Sequence, residues 1–250
     1  MIQNATKAKL RAGEAVLGVF DRFRDPSLAE FVAFQGWDFV VMDGEHGTLD
    51  SEDFGNLARA IELRGATPIA RVNTNESSAI LRALDSGAHG VHIPWVNSAE
   101  EAERAVRWAK YGPRGTRGLA GNRSIDWKAN ATSTAAANEE TLVVVHIETQ
   151  TAVDAVDEFV EVDGIDVLFV GPTDLSHSLG IPGEKDHPAM TEAIERVAEA
   201  VGPSDKAFGI YAATPDWVHR WHARGARYFT TGVDGLVAAG TSDYLAAARR

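Results

Sequence analysis

The sequence predicts a single (β/α)8 barrel, and three observations carry that expectation. Eight short apolar, β-branched runs alternate with amphipathic stretches of helical spacing, as in a parallel α/β fold. Several of the runs are almost continuously hydrophobic, as strands buried on both faces are. The chain has 250 residues, close to the ~250 that one such barrel takes. Eight strands in that length favour a barrel over an open sheet, and one domain spanning 1–250 is expected.

The strands are expected at 16–20, 39–42, 68–72, 90–93, 143–147, 167–170, 208–211 and 228–231. Helices are expected at 26–34, 51–63, 77–86, 98–110, 151–160, 189–201, 215–224 and 236–248. Asp25 stands as an N-cap ahead of Leu28, Phe31, Val32 and Phe34, where a carboxylate accepts the free N–H groups of a first turn. Ser98 and Glu101 have capping-box spacing. Only 111–140 breaks the rhythm. Its glycine-rich first part, as far as Trp127, reads as an active-site loop. The small polar run 130–138 reads as a mobile surface segment.

Composition removes several functions. There is no cysteine, which excludes disulfides, thiolate catalysis and cysteine-held zinc or iron–sulfur sites. A net charge of −12 repels phosphate backbones and anionic membranes, so no nucleic-acid partner is expected. No stretch approaches the ~20 apolar residues of a membrane span. The first residues lack the apolar run of a signal peptide. A cytoplasmic protein with no membrane partner is the expectation.

In such barrels the chemistry sits at the C-terminal ends of the strands. Asp43, Glu45 and His46 follow the second strand, Arg71 ends the third, His146 and Glu148 end the fifth, and Asp174 follows the sixth. Glu148 and Asp174 lie on neighbouring strand ends, and unpaired carboxylates are costly to bury. Such a pair shares a proton, binds a cation or meets an arginine at the barrel mouth. Oxygen ligands suit six-coordinate Mg²⁺ or Mn²⁺. His46, in a glycine-flanked turn, either serves as a general base near neutral pH or only hydrogen-bonds within its turn. Arg71 needs an anion, either a carboxylate or an enolate-like oxygen. Schiff-base chemistry wants a lysine at a strand end. None of the six lysines ends a predicted strand: Lys206 precedes the seventh, on the opposite rim, and Lys185, in a polar loop, is the only residual candidate. Carbonyl chemistry is therefore expected to rest on a metal. His89 and His92 flank the fourth strand, one facing the barrel and the other the helices.

Taken in order, Val41-Met42-Asp43-Gly44-Glu45-His46-Gly47, then 70–72, 83–88 and 113–118, then Ile147-Glu148-Thr149 and Gly171-Pro172-Thr173-Asp174-Leu175-Ser176 resemble the HpcH/HpaI aldolases. That family includes the 2-keto-3-deoxy-acid aldolases. The resemblance spans nearly the whole chain and implies a metal-dependent pyruvate aldolase. It cleaves or forms a 4-hydroxy-2-oxoacid, giving pyruvate and an aldehyde, in sugar-acid or aromatic catabolism. It implies that Glu148 and Asp174 hold Mg²⁺, Mn²⁺ or Co²⁺. The backbone of Gly171, Pro172, Thr173 and Asp174 would hold the pyruvate carboxylate. Arg71 would stabilise the enolate oxygen, and His46 would act as base through water, its basicity raised by Asp85. The family's usual glutamine two residues before the metal glutamate is His146 here. Residues i and i+2 share a strand face, so His146 still points at the site, as a donor to pyruvate, a metal ligand or a proton relay. Arg123 is expected to meet an acidic or hydroxylated substrate tail. Segments 18–23 and 121–124 lack the pattern of succinic-semialdehyde-cleaving members, which makes sugar acids attractive substrates. Members are homo-oligomers, often hexamers built as trimers of dimers, with a C-terminal helix (here 236–248) exchanged between subunits. The alternatives are an enolate-forming lyase or decarboxylase resembling macrophomate synthase, and a non-catalytic ligand-binding barrel.

Overall fold

The computed structural model describes residues 3–249. Eight parallel strands close in sequential order into a barrel: β1 Val16–Asp21, β2 Phe39–Asp43, β3 Thr67–Arg71, β4 Gly90–Ile93, β5 Leu142–Ile147, β6 Val167–Val170, β7 Ala207–Tyr211 and β8 Ala226–Gly232. The helices are α1 Ala5–Arg11, α2 Pro26–Phe34, α3 Ser51–Glu62, α4 Ser77–Asp85, α5 Ala99–Ala109, α6 Ala131–Glu140, α7 Gln150–Asp154, α8 Val156–Glu161, α9 Pro172–Ser178, α10 Pro188–Val201, α11 Pro215–His222 and α12 Val233–Ala248. The (β/α)8 barrel is thus the fold, with every strand within two residues of its expected place. No helix among the described residues is long and apolar enough to cross a membrane.

Alternate strand residues turn into the barrel. Val16, Phe39, Val41, Ile69, Val144, Phe169 and Tyr228 form its inner core, and the residues between them pack against the helices. Two glycines make room for the large rings. A Cβ on Gly18 would stand 2.1 Å from Phe39 Cε2. Its absence lets Phe39 cross the barrel and stack on Tyr228, with ring centroids 4.4 Å apart. A Cβ on Gly209 would crowd Val167, Phe169 and Tyr228.

Asp25 caps α2, accepting from the N–H groups of Ser27 and Leu28. At α5 only half of the expected box forms. Ser98 accepts from Glu101 N, but the Glu101 carboxylate takes the N–H of Asn97, at 2.8 Å. A complete box stands instead at α3, between Asp50 and Asp53.

The N-terminal end of the barrel adds one unforeseen helix and corrects two expectations. The polar opening segment is a helix, α1, that plugs the barrel. Leu10 joins the inner core, and the Asn4 side chain donates to the carbonyls of His89 and Glu140, 3.0 Å each. The supposed mobile run is the helix α6. Asn130 caps it, and the Asn138 amide accepts from Tyr111 N at 2.7 Å and donates to Tyr111 O at 2.9 Å. The expected active-site loop as far as Trp127 follows α5 down to this same end. There Arg117 pairs with Asp85 and lies over the Tyr111 ring, and Arg123 pairs with Glu62.

Candidate active site

The two-residue period of the inward strand positions continues past the apolar core to the C-terminal rim. It turns Asp43, Arg71, His146 and Glu148 into one cleft of about 370 Å³. Phe20 and Phe169 wall the cleft at its base, while His46, the segment Gly171–Asp174, Lys185, Tyr211 and Asp234 line its mouth. Of the residues singled out from sequence, His46, Arg71, His146, Glu148, Gly171, Pro172, Thr173 and Asp174 are brought together here. Two are not. Asp85 ends α4, and its carboxylate accepts from Arg117 at 2.6 Å and Asn122 at 2.9 Å. Arg123 sits against Gly87 with its guanidinium on Glu62. Within one chain both lie outside the cleft, because α4 and the loop after α5 carry them away from the rim.

Arg71 is fixed from three sides. Its Nε and Nη2 donate to the two Asp43 oxygens at 2.8 and 2.6 Å. Nη1 lies 2.9 Å from Glu45 Oε2, and the guanidinium sits over the Phe20 ring at 4.6 Å. Burial raises the cost of a charge on Asp43, but the hydrogen bond and charge of Arg71 outweigh it and hold the Asp43 carboxyl low. Asp43 also accepts from the backbone N–H groups of Glu45 and His46, which shapes the turn. Gly47 is required in that turn, since a Cβ there would stand 2.3 Å from Asp43 O. The His46 side chain is about half exposed, with Nε2 3.9 Å from Glu45 Oε2.

Glu148 is 2% exposed. Its Oε1 lies 2.5 Å from His146 Nδ1, and its Oε2 accepts from Trp95 N at 3.2 Å. Burial works against its charge, but His146, the Trp95 N–H and Arg71 outweigh that and lower its pKa. Burial pushes the Glu45 carboxyl up, with Arg71 pulling the other way and Glu148 adding to the rise. Gly171 is glycine because a Cβ would come within 2.9 Å of Glu148 Cγ and Oε1. Asp174, in the first turn of α9, has no hydrogen bond or ion pair among the described residues.

A model of the HpcH/HpaI aldolase/citrate lyase family matches residues 17–240. The chain belongs to that family. The 2-keto-3-deoxy-L-rhamnonate aldolase of Escherichia coli (strain K12) is 32% identical over 239 residues, 95% of this chain and 90% of that one. An HpcH/HpaI aldolase/citrate lyase family protein from Burkholderia cenocepacia J2315 superposes with a TM-score of 0.93 at 32% identity, covering 99% of this chain and 100% of the other. The structure of citrate synthase SbnG gives 0.91 at 31% identity, over 99% and 98% of the two chains. This HpcH/HpaI member is a carbon–carbon lyase acting on small molecules.

Several residues in and beside the cleft of this HpcH/HpaI barrel were given no catalytic or binding role from sequence. Glu45 is the second carboxylate on Arg71. Trp95, held at φ 55°, donates its indole N–H to Glu45 at 2.9 Å. Lys185, read as part of a polar loop, lines the cleft with its ammonium 5.7 Å from the Tyr211 ring centroid. Arg22 pairs with Asp234 at 2.7 Å beside it. Tyr211 ends β7 as Arg71 ends β3, and that position was the signal available for it. Lys185, the one lysine left as a residual candidate, is carried to the rim by its loop. His92 faces the barrel and His89 pairs with Glu62 at 2.9 Å.

Proposed function

We propose that this enzyme cleaves a 4-hydroxy-2-oxoacid of the 2-keto-3-deoxy sugar-acid class to pyruvate and an aldehyde, with a divalent cation held by Glu148 and Asp174. One observation carries the proposal. A carboxylate pair, a rigidly held arginine and an accessible histidine share one cleft at the C-terminal rim. The donors fit the cation: both are carboxylates facing the cleft, and Asp174 lacks any other partner among the described residues. An all-oxygen set completed by substrate and water suits Mg²⁺ or Mn²⁺, with Co²⁺ as a further choice. When bound, the cation supplies Lewis-acid polarisation of the keto group.

The chain's own groups do the rest. The free N–H groups of Thr173 and Asp174 in the uncapped first turn of α9 receive the pyruvate carboxylate. Arg71, its fork already set by Asp43, donates to the oxygen that becomes negative as the C3–C4 bond breaks. His46 removes the proton of the 4-hydroxyl, directly or through one water. Glu45 is the carboxylate that stands near His46 within the chain, the place the resemblance gives to Asp85. Phe20 and Phe169 keep water from the base of the cleft. The paired Arg22 and Asp234, the Tyr211 hydroxyl and Lys185 offer donors and acceptors to a hydroxylated aldehyde tail.

The reading is tested by incubating the enzyme and Mg²⁺ with 2-keto-3-deoxy sugar acids and measuring pyruvate with a coupled dehydrogenase. Pyruvate release that EDTA abolishes is expected. No pyruvate from the whole panel would contradict it. The similarity to citrate synthase SbnG favours a second reading, in which the same enolate is used to form a carbon–carbon bond. Product analysis separates the two.

We also infer a homo-oligomer that exchanges α12. Val233 is the one buried residue described in that helix, while Leu236, Val237, Tyr244 and Leu245 are exposed. On the outer face of β1 and β8 an apolar groove lined by Leu17, Trp37, Val218 and Phe229 lies open, where a partner's helix would seat. Sedimentation of the full chain against one truncated before residue 236 tests this: assembly that survives truncation would refute the exchange.

A further inference from the structure

The barrel interior holds a file of four polar groups that the proposed chemistry leaves unused except at its end. Tyr228 Oη lies 2.7 Å from His92 Nε2. His92 Nδ1 lies 2.8 Å from His146 Nε2, and His146 Nδ1 lies 2.5 Å from Glu148 Oε1. All four are at most 2% exposed. We propose that Tyr228 and His92 are positioning residues that act through His146, forcing it to donate a hydrogen bond to Glu148. The proposal rests on Glu148 being a cation ligand.

Counting protons fixes the direction. A tyrosine hydroxyl carries one proton, and among the described residues its only hydrogen-bond partner is His92. If His92 Nε2 also carried a proton, the Tyr228 proton would be left without an acceptor inside a closed barrel, a costly arrangement. Nε2 therefore accepts. A neutral His92 then carries its proton on Nδ1 and donates to His146 Nε2. That nitrogen accepts in turn, so His146 carries its proton on Nδ1 and donates to the carboxylate. Each proton has one acceptor, and all point towards Glu148. The opposite tautomer of His146 would set a lone pair against the carboxylate.

Packing holds the rings to this choice. His92 meets Phe20 and Phe169 edge-on, at 5.5 and 5.2 Å between centroids. His146 lies against Phe169 at 4.9 Å. The file ends at a tyrosine stacked on Phe39 with no exit to solvent. It therefore orients a ligand and does not conduct protons. Outer partners of this kind typically set metal affinity by roughly 10–100-fold. A glutamine at 146 would present a donor amide with no tautomer to select, whereas a histidine there needs its tautomer dictated.

The test uses ¹⁵N-histidine-labelled full-length enzyme, with spectra taken free of metal and Mn²⁺ dissociation constants measured by calorimetry. Wild type should show both His92 and His146 as the neutral Nδ1–H form. Tyr228→Phe keeps the stacked ring but removes the proton that sets the direction. It should erase the Nδ1–H preference and weaken Mn²⁺ binding about tenfold. His146→Gln keeps a donor beside Glu148 and should bind Mn²⁺ more tightly than Tyr228→Phe does, and adding Tyr228→Phe to it should change nothing further. A purely structural role for Tyr228 would weaken both backgrounds equally, and that result would overturn the proposal. So would an Nε2–H signal from either histidine in wild type. If wild type bound no Mn²⁺, the cation reading itself would fall, and the metal-free spectra would distinguish that from a failure of the relay.

Discussion

At the N-terminal end of the barrel Lys7 and Lys110 both aim their ammonium groups at the Thr141 carbonyl, each 2.8 Å away. Lys7 adds Asp166 and Lys110 adds the Asn138 carbonyl. Among the described residues of the C-terminal rim, Asp174 has no partner, Lys185 has only the face of Tyr211, and Asp21 has a buried oxygen without a hydrogen bond. Each end carries buried or half-buried charge. The Lys7–Lys110 cluster completes its charge on main-chain carbonyls and Asp166, while Asp174 and Asp21 leave valences open at the rim. Even the completed cluster carries a cost, since burial and the neighbouring Lys7 push the Lys110 pKa down to about 7. Completed polar networks lock an end of the barrel in place. Open valences are what a substrate or cation can fill.

The largest expected effect is at Arg71, the buried rim cation held between two carboxylates. Arg71→Ala should slow solvent exchange of the pyruvate methyl protons by about 10³-fold. It should also cost roughly 3–5 kcal/mol of stability, because Asp43 and Glu45 are left buried without it. Arg71→Lys keeps the charge and should recover much of the melting temperature but little of the rate. A rate near wild type in either variant would remove Arg71 from the chemistry. Next comes Asp174→Asn. Metal-dependent turnover should fall about 10²-fold, with the melting temperature unchanged within about 2 °C. A large loss of stability would show that Asp174 has a partner in the fold.

At the other end the effects reverse. Asn4→Ala removes an N-cap and two donors to carbonyls, and should cost about 2–3 kcal/mol in denaturant melts while turnover stays within about twofold. The smallest effect tests Asp21. Burial raises its pKa from the ordinary 3.8 to about 6, against the N–H of Phe23. Charging it therefore penalises the folded state. The penalty is absent below about pH 4 and complete above about pH 7. Asp21→Asn should be more stable than wild type at pH 8 by roughly 1 kcal/mol, the gain being reduced by an unpaired amide, and that advantage should disappear at pH 4. An advantage independent of pH would show that the carboxyl is not strained.

The strands were legible because burial on both faces leaves an unbroken apolar run, and the rim residues were legible because they sit one or two positions beyond those runs. What escaped was set by packing between distant segments. The opening segment is polar because its side chains end on carbonyls beneath the barrel, as Asn4 does on His89 and Glu140 and Lys7 on Thr141. The run 130–138 looks featureless because Asn138 spends its amide on Tyr111, 27 positions away. Arg123 and Asp85 have the residue types of a site, yet each is neutralised within the chain at the far end. The file behind His146 depends on His92 and Tyr228, from β4 and β8, and no local pattern joins them.

The central claim is that the rim cleft enolises pyruvate with a divalent cation, and deuterium incorporation into the pyruvate methyl group tests it without knowledge of the aldehyde. Proton NMR in D₂O should show exchange with Mg²⁺ that EDTA abolishes. Exchange that survives EDTA and is trapped by borohydride on Lys185, the lysine that faces the cleft, would contradict the account, as would no exchange under any condition.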